Sequence, residues 1–434
     1  MRRTAALFLV LCALALAGAG LASAQSSADS GPVVDVVEAF GVLDPQLAGY
    51  VIDRIESANR DKSVLVVLEL DSAGALETDP RKIVDAIAAS EVPVAVWIGP
   101  RRAQARSGAA LVAAAAHVNA IGPSGRLGPL HPTELTIDPQ SRDGLSGRTE
   151  ELALARSLAA LHRRDDPEVF LDRRLGANAS ADARAVDMVV PNVAELLRRS
   201  DGRTVRTQAG NVTLRLRSDE VSLRFFRPGP IRSLLHTFAT TPSLVYLCLL
   251  AGAMLIAFEL FQPGFGIAGV TGAFVLAGAI YGMTILPLSI VATLLFAIGV
   301  GLLMVDVALN ELGVATIGGT LLLAIGSFRM FPAPAGALGV PGWLVVLGVA
   351  AALVYFVPVM TFVRRSRRDP ETQRAARELV GEPGQVRSML NPEGFVWVAE
   401  ALWRARSEDG TRLRVGEDVV VTGADGILLH VRRP

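Results

Sequence analysis

The sequence predicts three folds in series: an α/β domain, a multi-span α-helical membrane domain, and a small all-β barrel of the OB type. Three observations predict this. Strand-like and helix-like stretches alternate over residues 33–199, the mark of an α/β layer. Residues 243–363 are strongly apolar, in segments long enough to cross a bilayer. From Leu379 to Pro434 the chain breaks into short β-prone pieces separated by Gly, Pro and Asp turns. Over the 434 residues, 51% are hydrophobic and 19% charged, more apolar than an ordinary soluble protein.

Residues 1–24 read as a signal peptide. Arg2 and Arg3 form a basic start, Ala5–Leu16 an apolar stretch, and Ala22-Ser23-Ala24 a small-residue cleavage site. The domain expected over 25–220 is therefore exported. Within it Val33–Val37, Val64–Leu70 and Val94–Ile98 are runs of β-branched and apolar residues that read as strands. Amphipathic helices are expected at about 45–59, 79–89, 149–164 and 167–176, and a buried, alanine-rich one at Ala109–Ala116. A juxtamembrane linker covers 221–242.

The membrane domain, 243–363, divides into apolar spans at about 243–260, 267–284, 288–308, 314–328 and 343–363. Five is preferred to four, because an exported first domain and an odd number of crossings leave the C-terminus inside. Arg364, Arg365, Arg367 and Arg368 after the last span agree with that orientation, whereas Arg224, Arg227 and Arg232 before the first pull against it. An internal echo aligns Glu259–Gly272 with Asp306–Gly319, each placing a carboxylate near the end of one span and glycines at the start of the next. An interfacial position is the ordinary account of such carboxylates, and an ion path the sharper one. A polar linker, 364–378, leads into the barrel at 379–434. Its strand-like pieces are Gln385–Ser388, Phe395–Val398, Leu402–Arg406, Arg412–Arg414, Asp418–Val421 and Ile427–Val431.

Composition excludes several function classes. The net charge is zero, which points to no nucleic-acid partner. Cys12 and Cys248, in the leader and in a span, make no disulfide framework. No Cys/His cluster has metal-ligand spacing and no Walker-type loop occurs, so neither metal nor cofactor is expected.

Three stretches carry potential chemistry. Leu68–Leu76 is a strand running into a small-residue turn at Ala73-Gly74-Ala75, whose backbone N–H groups could stabilise an oxyanion. Val92–Pro100 leads to Arg106-Ser107-Gly108-Ala109, a serine opening a helix after a strand. Gly128–Pro132 supplies His131 in a turn. Each has a plain reading alone: a turn, an N-cap serine, a loop histidine.

Together these pieces resemble the NfeD family, membrane-bound relatives of the ClpP-class serine proteases, also called stomatin operon partner proteins. The likeness spans nearly the whole chain. Its most specific motifs are Leu379-Val-Gly-Glu-Pro-Gly, Leu390–Val398, Leu402-Trp-Arg-Ala-Arg406 and Val421–Leu429, with Phe258–Gly266 in the membrane region. The resemblance implies a ClpP/crotonase-like fold for the exported domain. It places Ser107 on the nucleophile and the backbone of Gly74, Ala75 and Gly108 on the oxyanion hole, although the family's Pro-Gly-Gly is here Ala73-Gly74-Ala75. It also implies a stomatin/prohibitin-like (SPFH) membrane partner, a homo-oligomer, and hydrophobic peptide segments as substrates.

The family's lysine base has no counterpart. Its position falls near Ser146, Arg148 is the closest basic residue, and no lysine follows Lys82. Arginine stays protonated and cannot accept the serine proton. Two readings stay open. His131 is the base, oriented by an acid such as Asp165 or Asp166, and the chain is an active membrane-bound endopeptidase. Alternatively the domain has lost activity and serves membrane organisation or quality control beside its partner. Coenzyme A chemistry on a crotonase-type fold is a weak third, because an exported domain meets little coenzyme A. For the barrel, nucleic-acid binding through Phe395, Trp397 and Trp403 ranks last, since alternation along Phe395–Val398 suggests that some of these fill its core.

Overall fold

The computed structural model describes residues 32–217, 221–261, 266–309, 313–332, 339–359 and 376–434. The expected signal peptide, the Gln262–Phe265 part of the Phe258–Gly266 motif and the arginines at 364–368 lie outside the described residues. The chain divides into two compact units, the main boundary in sequence falling after Thr240.

The first unit is built on a six-stranded parallel sheet. Its strands are β1 (Val33–Phe40), β2 (Leu65–Asp71), β3 (Val94–Ile98), β4 (Val118–Ile121), β5 (Met188–Val189) and β6 (Ser222–Phe226). Their order is β6-β1-β2-β3-β4-β5, every pairing parallel. A parallel sheet is buried on both faces, so its strands need apolar residues at odd and even positions alike. They have them. Val37, Leu68, Val96 and Ile98 face one cluster, while Val36, Val67, Ala95 and Trp97 face the other.

Helices α1 (Pro45–Asp61), α2 (Arg81–Ala88), α3 (Gly108–Ala115) and α4 (Arg142–Leu161) supply residues to the first cluster. Asp44 caps α1 by accepting from the Leu47 amide at 3.0 Å. The expected helix at 167–176 is instead a short 3-10 turn at Pro167–Phe170, followed by a two-residue strand, Leu175–Gly176. Pro167 starts the turn, and Leu175–Gly176 pairs with Arg126–Leu127 rather than continuing as helix. A further helix, α5 (Pro230–Thr240), packs on α1.

The second unit holds the apolar helices α6 (Pro242–Phe261), α7 (Ile267–Met283), α8 (Ile290–Leu309), α9 (Val314–Arg329) and α10 (Gly342–Val354). With 20 residues each, α6 and α8 are long enough to cross a bilayer; α7, α9 and α10 are shorter. The echo in the sequence has a structural meaning. Glu259 accepts from the Gly266 and Gly269 amides at the start of α7. Asp306 accepts from the Gly313 and Thr316 amides and the Thr316 hydroxyl at the start of α9. Each carboxylate reaches from the last turn of one helix to satisfy the orphan donors of the next. That is a capping role, and it gives no support to an ion path.

The echo extends to packing, with a constant offset of 47 positions (252 to 299, 259 to 306, 272 to 319). A Cβ on Gly252 would lie 3.1 Å from the Gly272 carbonyl, and one on Gly299 2.7 Å from the Gly319 carbonyl. Two helical hairpins are thus packed backbone to backbone at matching glycines.

The barrel closes with strands β7 (Pro383–Ser388), β8 (Glu393–Val398), β9 (Ala401–Ser407), β10 (Asp418–Asp425) and β11 (Leu428–Arg432), in the order β7-β8-β9-β11-β10. Its interior is aliphatic: Val386, Val396, Val398, Ala405, Val421, Leu429 and Val431. Two expectations need correction. Arg412–Arg414 is no strand; only Leu413 bridges, to Leu390. Phe395 and Trp397 face solvent, 45% and 41% exposed, because period-two alternation gives the core to Val396 and Val398.

The hairpin packing makes a direct prediction. Gly299→Ala places its methyl 2.5 Å from the Leu323 amide nitrogen, whereas nothing lies within 4 Å of the corresponding atom at Gly301. In detergent melts, Gly299→Ala lowers membrane-domain stability by about 1–3 kcal/mol and Gly301→Ala leaves it unchanged.

Candidate active site

The loops after β2, β3 and β4 leave the same edge of the parallel sheet, the carboxyl edge where open α/β folds bind ligands. Ser107 lies on the second of them. The short strand Gln104–Ala105 runs beside the end of β2, the Ser72 amide donating to Gln104 O at 2.7 Å and the Arg106 amide to Ser72 O at 3.2 Å. The chain then turns sharply into α3, and Ser107 takes the corner with φ 54° and ψ −134°. A positive φ is costly for a residue with a Cβ, about 1–3 kcal/mol, and persists only where the surroundings impose it. Ser107 occupies the N-cap position but its side chain caps nothing.

What imposes the corner is the segment after β4. The Ser107 amide donates to Pro129 O at 2.6 Å, its hydroxyl donates to Pro132 O at 2.5 Å, and the Gly108 amide donates to Thr133 O at 2.8 Å. Gly74 approaches from the other side. With φ 144°, it sits where a Cβ would fall 2.7 Å from the Cβ of Ser107, so only glycine fits. Ala75 bridges Leu43 on one flank and Glu134 on the other, and its carbonyl accepts from the Leu135 amide at 2.9 Å. Of the five residues the sequence expects in one site, Gly74, Ala75, Ser107 and Gly108 lie together, and His131 sits on the segment whose Pro129 and Pro132 carbonyls bond Ser107, its ring turned to Glu151. Two of the expected oxyanion donors are already engaged, the Gly108 amide by Thr133 O and the Gly74 amide by the Ser72 hydroxyl at 3.3 Å.

His131 is buried, and its Nδ1 lies 2.6 Å from a Glu151 carboxylate oxygen. The other Glu151 oxygen accepts from the Thr133 amide at 3.1 Å and its hydroxyl at 2.9 Å. Glu151 is thus the acid that orients His131. Asp165 and Asp166 are not: Asp166 is exposed and paired with Arg156, and Asp165 lies beside Arg184. At the place of the family lysine, Ser146 bonds its own helix and Arg148 pairs with Asp172 on the surface. Sequence reasoning missed Glu151, although a signal existed. It shares a helical stripe with Leu152, Ala155 and Leu158, and a carboxylate on a buried stripe calls for a partner.

Comparison with known proteins bears on the whole chain. The family model described as the NfeD integral membrane domain matches residues 243–361. The model described as the NfeD-like C-terminal, partner-binding domain matches 376–433. The chain belongs to the NfeD family. A membrane-bound protease of Pyrococcus horikoshii is 24% identical over 409 residues, 89% of this chain and 91% of that protein. Membrane protein NfeD1b of Bacillus subtilis is 24% identical over 409 residues, 90% of each. Among solved structures, an alanine mutant of the 1510-N membrane-bound stomatin-specific protease, in complex with a substrate peptide, is 23% identical. It covers 48% of this chain and 97% of its own, with a TM-score of 0.43. The architecture of this NfeD protein has the three expected parts: an α/β domain on a parallel sheet, a helical membrane domain and a small closed barrel.

Two other histidines flank the end of α3. His117 and His162 stack edge to face with ring centroids 5.7 Å apart. Burial pushes both down to about 4, the Arg164 guanidinium adding to the effect, and the Val94 amide donates to His117 Nδ1. An unfolded histidine takes its proton near 6.5, so between the two values the unfolded chain binds more protons. The stabilisation is complete above about pH 6.5 and is lost as pH falls through about 4. Denaturation of the α/β domain at about pH 4.5 should therefore show a loss on the order of 2–3 kcal/mol for each histidine relative to pH 7, and His162→Gln should remove about half of that slope.

Proposed function

We propose that this NfeD protein is a membrane-anchored serine endopeptidase of the ClpP class, held in a closed resting form and working beside a stomatin-like membrane partner. The observation that carries the reading is the buried His131–Glu151 pair next to a serine in a strained strand-to-helix corner. A triad needs a nucleophile, a base and an acid that orients the base; Ser107, His131 and Glu151 are of the right types, in adjoining turns.

In the open form Ser107 Oγ attacks the scissile carbonyl carbon and passes its proton to His131 Nε2. The developing oxyanion is met by the Gly108 amide, with the Gly74–Ala75 turn alongside. Glu151, on Nδ1, stabilises the imidazolium, which then protonates the leaving amine. Water hydrolyses the acyl-enzyme by the reverse route. None of this proceeds until Thr133 O leaves the Gly108 amide and Pro132 O releases the serine hydroxyl.

A second reading has its own support. The Ser107 hydroxyl donates to a backbone carbonyl rather than to a base, and the family lysine is absent. On that reading the outer domain is a binding module in membrane organisation or quality control. Both readings share a topology of five crossings, the first domain outside and the barrel in the cytoplasm. In both, the partner docks on the barrel, whose exposed Phe395, Trp397 and Leu402 share a face with Arg404. The 1510-N relative is described as stomatin-specific, which supports a partner of that kind.

A fluorophosphonate probe separates the two. The endopeptidase reading expects full-length protein in membranes to be labelled, Ser107→Ala to abolish labelling, and Glu151→Gln to slow it by about 10³-fold through loss of the histidine's orientation. Absence of labelling under conditions that also cleave no apolar peptide favours the binding module.

A further inference from the structure

Helix α5 has two faces, and among the described residues only one is packed on protein. On the inner face His236 Nδ1 lies 2.7 Å from Asp44 Oδ1, Arg232 pairs with Asp53 at 2.6 Å, and Ala239 is buried. On the outer face, Ile231 is 71% and Leu234 52% exposed, and Phe238 is half-buried. Positions 231, 234 and 238 recur at the i, i+3, i+7 spacing of one helical stripe. An apolar stripe left open on a docked helix calls for a cover.

Chain continuity names the cover. α5 ends at Thr240 and the 20-residue apolar helix α6 begins at Pro242. A residue of extended chain covers roughly 3.5 Å, so the end of α5 lies within about 7 Å of the first turn of a bilayer-spanning segment. A helix about 16 Å long, fixed that near the hydrocarbon, has the headgroup boundary as its neighbour. We propose that α5 is an amphipathic membrane-surface anchor, with Ile231, Leu234 and Phe238 inserted among lipid headgroups and upper acyl chains.

The arginines of this region define the type of contact. Arg224 is tied to Asp35 and Asp61, Arg227 to Glu38 and Arg232 to Asp53. These guanidiniums are already neutralised by the protein, so the attraction is apolar and needs no anionic lipid. The inner face gives the anchor a consequence. Asp44 also caps α1, and its neighbour Leu43 brackets the Gly74–Ala75 turn, its amide donating to Gly74 O and its carbonyl accepting from the Leu76 amide. Lipid contact at α5 therefore bears, through His236 and Asp44, on the Gly74–Ala75 turn beside Ser107. The anchor is independent of whether that serine is active.

The test uses full-length protein carrying Cys12→Ala and Cys248→Ser, reconstituted in phosphatidylcholine vesicles, with one nitroxide at Ile231→Cys, Leu234→Cys or the exposed α1 position Glu56→Cys. Labels at 231 and 234 are expected to collide more often with oxygen than with a water-soluble nickel reagent, unchanged by high salt, while the label at 56 shows the reverse. A double variant, Ile231→Asp with Leu234→Asp, should raise nickel-reagent access at a label on Phe238→Cys several-fold. Water-like accessibility at 231 and 234 overturns the proposal. So does dipolar broadening of those two labels, which would mean that a second copy covers the stripe.

Discussion

The α/β domain turns on one strained residue. Ser107 adopts a positive φ at the corner between the strand beside β2 and helix α3, and three hydrogen bonds from Ser107 and Gly108 to the 129–133 segment hold it there. Gly74 allows the approach, and Glu151 pins the facing segment through His131 and Thr133. A corner of this kind aims a hydroxyl at one point, and the surrounding bonds decide what occupies that point. Here it is the chain itself.

The parallel sheet makes this convergence possible. Because β2, β3 and β4 run in one direction, the loops that follow them emerge together, and an oxyanion turn, a nucleophile and a base can come from segments distant in sequence. The membrane domain uses a different economy. Two helical hairpins repeat the same device, a carboxylate capping the next helix and glycines allowing backbone contact, so the cost of interrupted backbone near lipid is met locally in each.

Much of this was legible in the sequence, for physical reasons. β-branched runs marked β1, β2 and β3, and the alanine-rich stretch after Ser107 marked a buried helix, because composition and burial are strongly coupled there. Motif order brought Ser107, Gly74, Ala75, Gly108 and His131 into one site. Four things were not legible. Glu151 and not Asp165 or Asp166 orients His131, because which face of α4 turns inward depends on tertiary packing. The 167–176 stretch is a turn and a strand, since pairing with Arg126–Leu127 overrides local helical tendency. The aromatics of β8 point outward because strand alternation gives the inward positions to Val396 and Val398. The closure of the site was invisible as well, being a matter of which carbonyl meets which amide.

The central claim is that the hydroxyl, the ring and the carboxylate of Ser107, His131 and Glu151 form a working triad once the 132–135 segment moves. A structure of the full chain with a peptide boronate tests it most directly. The account predicts boron bonded to Ser107 Oγ, a boronate oxygen at the Gly108 amide in place of Thr133 O, and His131 still held by Glu151. A structure in which that segment keeps its bonds to Gly108 and Ala75, with no adduct on Ser107 at saturating boronate, contradicts it.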